Sequence, residues 1–185
     1  AELYFNRELS ILHFQSRVLD LAKTANIPLL NRLMFLCITS SNLDEFFEVR
    51  VAGLKRQQLL GLNISSRDHA DQLSPKEQLL AIREYAQELV DEQYRVLNQI
   101  LIPALADEGI HISRRSDWTD DQRKWVSDYF ESELFPILSP LGLDPAHPFP
   151  RVLNKSLHFI VSLEGKDAFG RASKLAIVGA PRALP

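Results

Sequence analysis

An apolar stripe on one long predicted helix limits the folds open to this chain. The stripe consists of Leu79, Ile82, Ala86, Leu89, Gln93, Val96 and Ile100, at spacings of three and four residues. That period marks one face of a helix, and about 28 residues in a helix span roughly 40 Å. Because a single apolar face of that length must be covered by other helices, the sequence predicts an antiparallel helical bundle.

Capping patterns predict where three of the helices begin. Ser74, followed by a proline and then by Glu77, forms a capping box with proline at the first helical position, and it starts the long helix. Thr119 with Gln122 three residues later starts a later helix in the same way. Asn6 is placed to cap the first helix of the chain.

Two further helices are predicted between the first helix and the long one. Pro28 fits the first turn of the earlier of them, where its missing N–H has no consequence. Asn42 is interpreted as the N-cap of the later one, with Glu45 completing a capping box and Gly61 ending the helix. The polar residues 62–74 are predicted to form a loop.

The composition changes near Phe135. Residues 1–135 carry 15 Lys and Arg against 21 Asp and Glu, a net charge of −6, whereas residues 136–185 carry 6 against 3, a net charge of +3. The later segment also holds 7 of the 10 prolines. Apolar runs at residues 157–163 and 175–178 are typical of strands. We therefore expect the beginning of an α/β or α+β domain after the helices.

The residues by themselves exclude several classes of site and protein. The scattered glycines form no phosphate-binding loop, and no Cys/His cluster has zinc spacing. The apolar runs are far shorter than the roughly 20 residues of a membrane span, and no signal peptide opens the chain. The single cysteine, Cys37, cannot form an internal disulfide, which favours a reducing compartment such as the cytoplasm. Its apolar neighbours predict that the thiol is buried. An acidic front segment is a poor binder of nucleic acid.

Three stretches of the front segment carry a resemblance to a known family. Residues 40–47 read Ser-Ser-Asn-Leu-Asp-Glu-Phe-Phe and continue as Glu-Val-Arg-Val-Ala-Gly-Leu-Lys-Arg-Gln. Together with residues 4–10 and 28–36, this block closely resembles the N-terminal domain of type 1 polyphosphate kinases. Residues 144–150, Asp-Pro-Ala-His-Pro-Phe-Pro, resemble the start of the head domain of that family.

The resemblance covers the whole chain and implies its domain organisation. Residues 1–108 would form the N-terminal helical bundle domain, and residues 109–185 the start of a truncated head domain. The sequence departs from the family pattern at Ile11, where tryptophan is usual, and at Gln15, where asparagine is common.

The resemblance also implies an activity for the parent protein. Such kinases reversibly transfer the terminal phosphoryl group of ATP to polyphosphate through a phosphohistidine. The histidine and the bound Mg²⁺ belong to C-terminal domains absent from this chain, so the fragment alone is expected to be inactive. The implied partners are ATP or ADP, polyphosphate and further copies in a dimer or tetramer. The implied location is cytoplasmic, with peripheral membrane association left open.

Asn42 is the one residue here that matches an ATP-contacting position of the family. An asparagine amide can read a base edge or a ribose hydroxyl, and a helix N-terminus favours a nearby phosphate. The alternative is that Asn42 only caps its helix, an interaction of about 1 kcal/mol.

The basic residues after Asn42 have two interpretations. Arg50, Lys55 and Arg56 would suit a polyphosphate tunnel, because guanidinium groups bind phosphate oxygens well. They would equally follow Asp44, Glu45 and Glu48 in the order that complements a helix dipole. His147 lies in a proline-rich connector and is not the phosphohistidine of the family.

Two other interpretations of these residues stay open. Phe46 and Phe47 could stack on adenine, although adjacent aromatic residues on a helix usually belong to the core. The whole chain could be a helical interaction or dimerisation module without nucleotide contact, since the apolar face of residues 75–102 could pack on a partner subunit.

Overall fold

The chain folds into two compact units. The computed structural model describes residues 5–61, 73–144, 148–165 and 175–181. The first unit spans Ala1–Ile112 and the second spans Ser113–Pro185. The composition change near Phe135 falls inside the second unit. His147 and most of the polar stretch 62–74 lie outside the described residues.

The described residues of the first unit form two long helices and a shorter one. Its α-helical segments are α1 (Arg7–Lys23), α2 (Leu29–Glu45), α3 (Ala52–Leu59), α4 (Pro75–Val96) and α5 (Ile102–Asp107). A π-helical turn at Phe46–Val51 joins α2 to α3, and another at Leu97–Leu101 joins α4 to α5. The backbone stays helical across both turns. The unit is therefore built from α1 and two long continuous helices.

Two of the three predicted capping boxes, those at Ser74 and Thr119, are confirmed. The Glu77 N–H donates to Ser74 Oγ at 3.3 Å, and the Glu77 carboxylate accepts from the Ser74 N–H at 2.8 Å. The Ser74 hydroxyl also donates to the Glu77 carboxylate at 2.6 Å, and this bond together with the one from the Ser74 N–H lowers the pKa of the Glu77 carboxyl below its ordinary value. The same reciprocal pair joins Thr119 and Gln122, at 3.2 and 2.9 Å. Both boxes formed because each needs only residues three apart in the chain.

The predicted helix ends at Asn6 and Gly61 are confirmed, and the one at Pro28 is shifted by one position. The Leu9 N–H donates to Asn6 Oδ1 at 2.9 Å, so Asn6 caps α1. Gly61 follows the end of α3 with φ of +61°, a left-handed conformation that favours glycine. Pro28 precedes the first residue of α2 instead of lying in its first turn.

The π-helical turns keep the buried faces of the long helices aligned. The buried residues Phe46 and Val51 are five apart, as are Val96 and Leu101, and each interval crosses a π turn. A π turn closes over five residues, so both members of each pair face the core. The predicted stripe ended at Ile100, which is only half-buried, whereas Leu101 is 0% exposed.

The core of the first unit lies where α1 packs on α2 and α4, and where α3 packs on α4. Its buried members are Leu12, Leu19, Ala22, Leu36, Leu43, Phe46, Val51, Leu54, Ile82, Leu89, Val96 and Leu101. This arrangement confirms the predicted antiparallel helical bundle. The predicted burial of Cys37 is wrong, because its thiol lies on the exposed side of α2.

The second unit combines one helix with a small sheet. Its elements are α6 (Asp120–Tyr129), a π turn (Phe130–Leu134), 3-10 turns at Arg115–Asp117 and Phe135–Ile137, and strands β1 (Leu141–Gly142), β2 (His158–Ser162) and β3 (Leu175–Gly179). The sheet is antiparallel in the order β1-β3-β2. Phe159 pairs with Val178 and Leu141 with Ile177. The two predicted strands and the helix-then-α+β fold class are confirmed, whereas β1 was not predicted.

Candidate functional site

Asn42 lies inside a helix and does not cap one, so the predicted N-cap is wrong. The helix begins at Leu29, and the Asn42 carbonyl accepts a hydrogen bond from the Phe46 N–H, as in a helix interior. The reason is packing, because Thr39, Leu43 and Phe46 are buried at helical spacing on both sides of Asn42. Asn42 therefore does not lie at a helix N-terminus where a phosphate would be favoured.

The side chain of Asn42 instead joins two helices. Its Nδ2 donates to Oε1 of Gln15 on α1 at 3.0 Å. Gln15 is 5% exposed, and Asn42 is half-buried. In the described part of the chain, Asn42 Oδ1 accepts no hydrogen bond. One end of the Asn42 amide is thus held by α1, and its oxygen remains able to accept.

A second polar pair lies farther along the same helix–helix contact. Glu8 of α1 is 7% exposed, and its Oε1 lies 3.9 Å from Nη1 of Arg50 and 3.4 Å from Nη2 of Arg7. Glu8 Oε2 is buried without a hydrogen-bond partner among the described residues. We refer to Glu8, Gln15, Asn42 and Arg50 as the polar seam. Its two pairs run in opposite chain directions, as expected for antiparallel helices.

Glu8 and Gln15 were not among the predicted site residues. Both lie on the buried face of α1, seven residues apart, together with Leu12, Leu19 and Ala22. The signal was therefore available, because two polar residues occupy the helical period of an otherwise apolar face. Such positions need a buried partner, but the sequence did not show which residue supplies it.

The charges after Asn42 are arranged differently from the dipole interpretation. Asp44, Glu45 and Glu48 lie in the middle of a continuous helix instead of its first turn. Arg56 does lie in the last turn of α3. The guanidinium of Arg50 is held loosely at 3.9 Å by Glu8, which leaves it able to meet an anion.

A groove between the α2–α3 helix and α4 is lined by two of the other predicted site residues, Phe47 and Lys55. Its volume is about 820 Å³. Its charged and amide lining consists of Lys55, Gln58, Lys76, Glu77, Arg83 and Gln87, over a mostly apolar floor. Phe47 lies on this floor, whereas Phe46 is buried in the core. The two rings meet edge to face, with their centroids 5.8 Å apart. Asn42 does not line the groove.

The part of the chain that the structure describes contains neither a cluster of metal-binding side chains nor a membrane-spanning helix. These residues bring together no group of three or more His, Cys, Asp or Glu side chains that could hold a metal ion. Across the same ranges, no helix is both long and apolar enough to cross a bilayer.

Known proteins match the chain along nearly its whole length. The family model of the polyphosphate kinase N-terminal domain matches residues 4–113, and that of the polyphosphate kinase middle domain matches residues 121–185. A polyphosphate kinase of Neisseria meningitidis serogroup C is 57% identical over 97% of this chain and 26% of its own length. One from Burkholderia cenocepacia is 54% identical over the same shares. The chain thus spans about a quarter of these relatives.

A solved structure agrees with the sequence matches. The crystal structure of the polyphosphate kinase from Porphyromonas gingivalis superposes with a TM-score of 0.71 at 30% identity, over 96% of this chain and 25% of that one. The fold of this chain is therefore similar to that of the matching part of that protein. From its two family domains, this close identity and this shared fold, we conclude that the chain belongs to the polyphosphate kinase family.

Proposed function

We propose that this chain is the N-terminal part of an enzyme that transfers the terminal phosphoryl group of ATP to polyphosphate, reversibly. The observation that carries the proposal is the 57% identity over 97% of the chain to a protein named polyphosphate kinase. This chain spans about a quarter of that relative, and we assign the phosphoryl-transfer chemistry to domains outside it.

The proposed reaction has two steps outside these residues. The terminal P–O bond of ATP breaks as a P–N bond to a histidine forms, and ADP leaves. That P–N bond then breaks as a P–O bond to the end of a polyphosphate chain forms. Mg²⁺ would be held by the same C-terminal domains and would offset phosphate charge. Residues 1–185 contribute ATP contact and assembly of a dimer.

The contact with ATP is assigned to Asn42. The half-buried amide is anchored to α1 through Nδ2, and its Oδ1 remains able to accept a hydrogen bond. An amide held in one position is suited to reading a base edge or a ribose hydroxyl. Arg50, loosely paired with Glu8, is the residue we assign to a phosphate-rich ligand.

The test compares two asparagine variants in the full-length enzyme. Asn42→Ala should raise KM for ATP about 10-fold, the effect of one hydrogen bond of about 1.4 kcal/mol. Asn98→Ala is the matched control, because Asn98 is an exposed helical asparagine that bonds only to its own helix at Tyr94 O. Equal KM values for the two variants would refute the contact and favour an interaction module without nucleotide contact.

A second test concerns the fragment. Residues 1–185, incubated with radiolabelled ATP, Mg²⁺ and a polyphosphate primer, should form no labelled polyphosphate. Synthesis above a no-protein blank would show that the phosphoryl-transfer chemistry lies within these residues and would overturn the proposed division of labour.

A further inference from the structure

We propose that Gln15 is a positioning residue for Asn42 and sets which atom of the Asn42 amide meets the nucleotide. The inference rests on the proposed contact between Asn42 and ATP. Gln15 Oε1 accepts from Asn42 Nδ2 at 3.0 Å. The nitrogen and oxygen of an amide lie on opposite branches of one planar carbon. Engaging Nδ2 with α1 therefore directs Oδ1 away from Gln15.

The burial of Gln15 makes this orientation firm. Gln15 is 5% exposed and lies between Leu12 and Leu19, which are 0% and 1% exposed. Packing on both sides restricts the rotamers of Gln15. A buried carbonyl oxygen without a donor is unfavourable, so Gln15 Oε1 favours the orientation of Asn42 that supplies an N–H.

The orientation selects the chemistry of the ligand group. Asn42 meets the nucleotide through Oδ1, an acceptor, and therefore binds a hydrogen-bond donor. ATP carries two kinds of donor, the exocyclic amine of adenine and the ribose hydroxyls. Its ionised phosphates carry acceptors only. Asn42 therefore reads the nucleoside end of ATP, and Gln15 contributes to selectivity for that end.

The experiment uses the full-length enzyme and two changes at Gln15. Gln15→Met has similar length but removes the strong acceptor, so the Asn42 amide loses its fixed orientation. In the Gln15→Glu variant the ionised carboxylate can only accept hydrogen bonds, so Asn42 still points its Nδ2 toward α1. Thr39→Val is the matched control, because Thr39 is 0% exposed on the same helix as Asn42 and its hydroxyl donates to Phe35 O of that helix.

The readouts are Tm, kcat and KM for ATP, 2′-deoxy-ATP and inosine triphosphate, which lacks the exocyclic amine. Gln15→Met should raise KM for ATP about fivefold, within the range of one net hydrogen bond, with kcat nearly unchanged. It should also reduce the preference for ATP over one analogue. Loss of the preference over inosine triphosphate identifies the amine, and loss over 2′-deoxy-ATP identifies a ribose hydroxyl. Gln15→Glu should keep both preferences, and Thr39→Val should lower Tm alone.

Two results separate failure of this inference from failure of the proposed function. If Asn42→Ala raises KM for ATP but Gln15→Met changes neither preference, the contact stands and the positioning role of Gln15 is refuted. If Asn42→Ala leaves KM unchanged, the contact itself is refuted and the positioning role fails with it. Thr39→Val could change the KM values for the three nucleotides in the same way as Gln15→Met does. That result would also overturn the inference, because a general loosening of the helix contact would then explain both variants.

Discussion

The hydrogen bond between Asn42 and Gln15 should appear as a coupling energy in a double-mutant cycle. The variants are Asn42→Ala, Gln15→Ala and the double variant, each in residues 1–185. An interhelical hydrogen bond predicts non-additive effects, because either single change removes the same interaction. An N-cap at Asn42 would predict additive effects, because a cap bonds to its own helix and not to α1.

The expected magnitudes follow from burial. Asn42→Ala leaves Oε1 of the 5%-exposed Gln15 without a donor, a loss of about 1–3 kcal/mol. Alanine recovers up to about 0.7 kcal/mol through its higher helix propensity. The net loss for Asn42→Ala should therefore be about 1–2 kcal/mol. The coupling energy should be about 1 kcal/mol, the net contribution of one hydrogen bond.

The assay is urea unfolding followed by far-ultraviolet circular dichroism, which reports mainly on the helices. The change in urea midpoint gives each loss of stability, provided that the slope of the unfolding curve stays constant. Asn98→Ala combined with Gln15→Ala is the control pair, because Asn98 bonds to its own helix and should show no coupling to Gln15. A coupling energy below about 0.3 kcal/mol for Asn42 and Gln15 lies within the usual additivity error. That result would mean that no hydrogen bond between Asn42 and Gln15 stabilises the fold.

Three further predictions concern the helices of the first unit. Leu101→Ala should lower stability by about 2–5 kcal/mol and Ile100→Ala by clearly less, as measured by urea unfolding, because the π turn buries Leu101 and leaves Ile100 half-exposed. Ser74→Ala should lower the free energy of unfolding by about 1 kcal/mol, because it removes the side-chain cap of α4. Glu92→Gln should lower stability at pH 7 by up to about 1 kcal/mol, a limit set by solvent screening of this one-third-exposed side chain. Arg95 and Lys23 lower the pKa of Glu92 to about 2, so its stabilising effect is complete above pH 4.5, the ordinary value, and is lost as the pH falls toward 2.

Each of these predictions has a result that would contradict it. Equal losses for Leu101→Ala and Ile100→Ala would mean that the π turn does not set the buried face. Ser40→Ala, at an exposed position within α2, is the control for Ser74→Ala, and an equal loss for both would argue against capping. For Glu92→Gln, urea midpoints are compared at pH 7 and pH 3. A difference from the unsubstituted chain that grows at pH 3 would contradict the ion-pair explanation.

The local features of this fold could be predicted from the sequence because they depend on residues close together in the chain. The caps at Asn6, Ser74 and Thr119 each involve groups three residues apart. The long apolar stripe is also a local feature, because its helical period is visible within one segment. An apolar face of that length has to be covered by other helices, and this predicted the bundle. The block at residues 40–47 carried the family resemblance directly.

The role of Asn42 could not be predicted in the same way. The pattern of Asn42 and Glu45 satisfies the local rule for a capping box as well as Ser74 and Glu77 do. What differs is the packing, because Thr39 and Phe46 are both buried and keep the helix continuous through Asn42. A cap contributes about 1 kcal/mol, whereas burying one large apolar side chain contributes about 1.5–3 kcal/mol.

The sequence was sufficient to predict the helix starts at Asn6, Ser74 and Thr119, the bundle class, the two longer strands and the family. The tertiary structure alone decided that Asn42 pairs with Gln15, that Glu8 lies beside Arg50, and that π turns bring Val51 and Leu101 into the core. The physical reason is the range of the interactions. Capping and periodicity act within a few residues, whereas the partner of a buried polar group is set by which helix face packs against it.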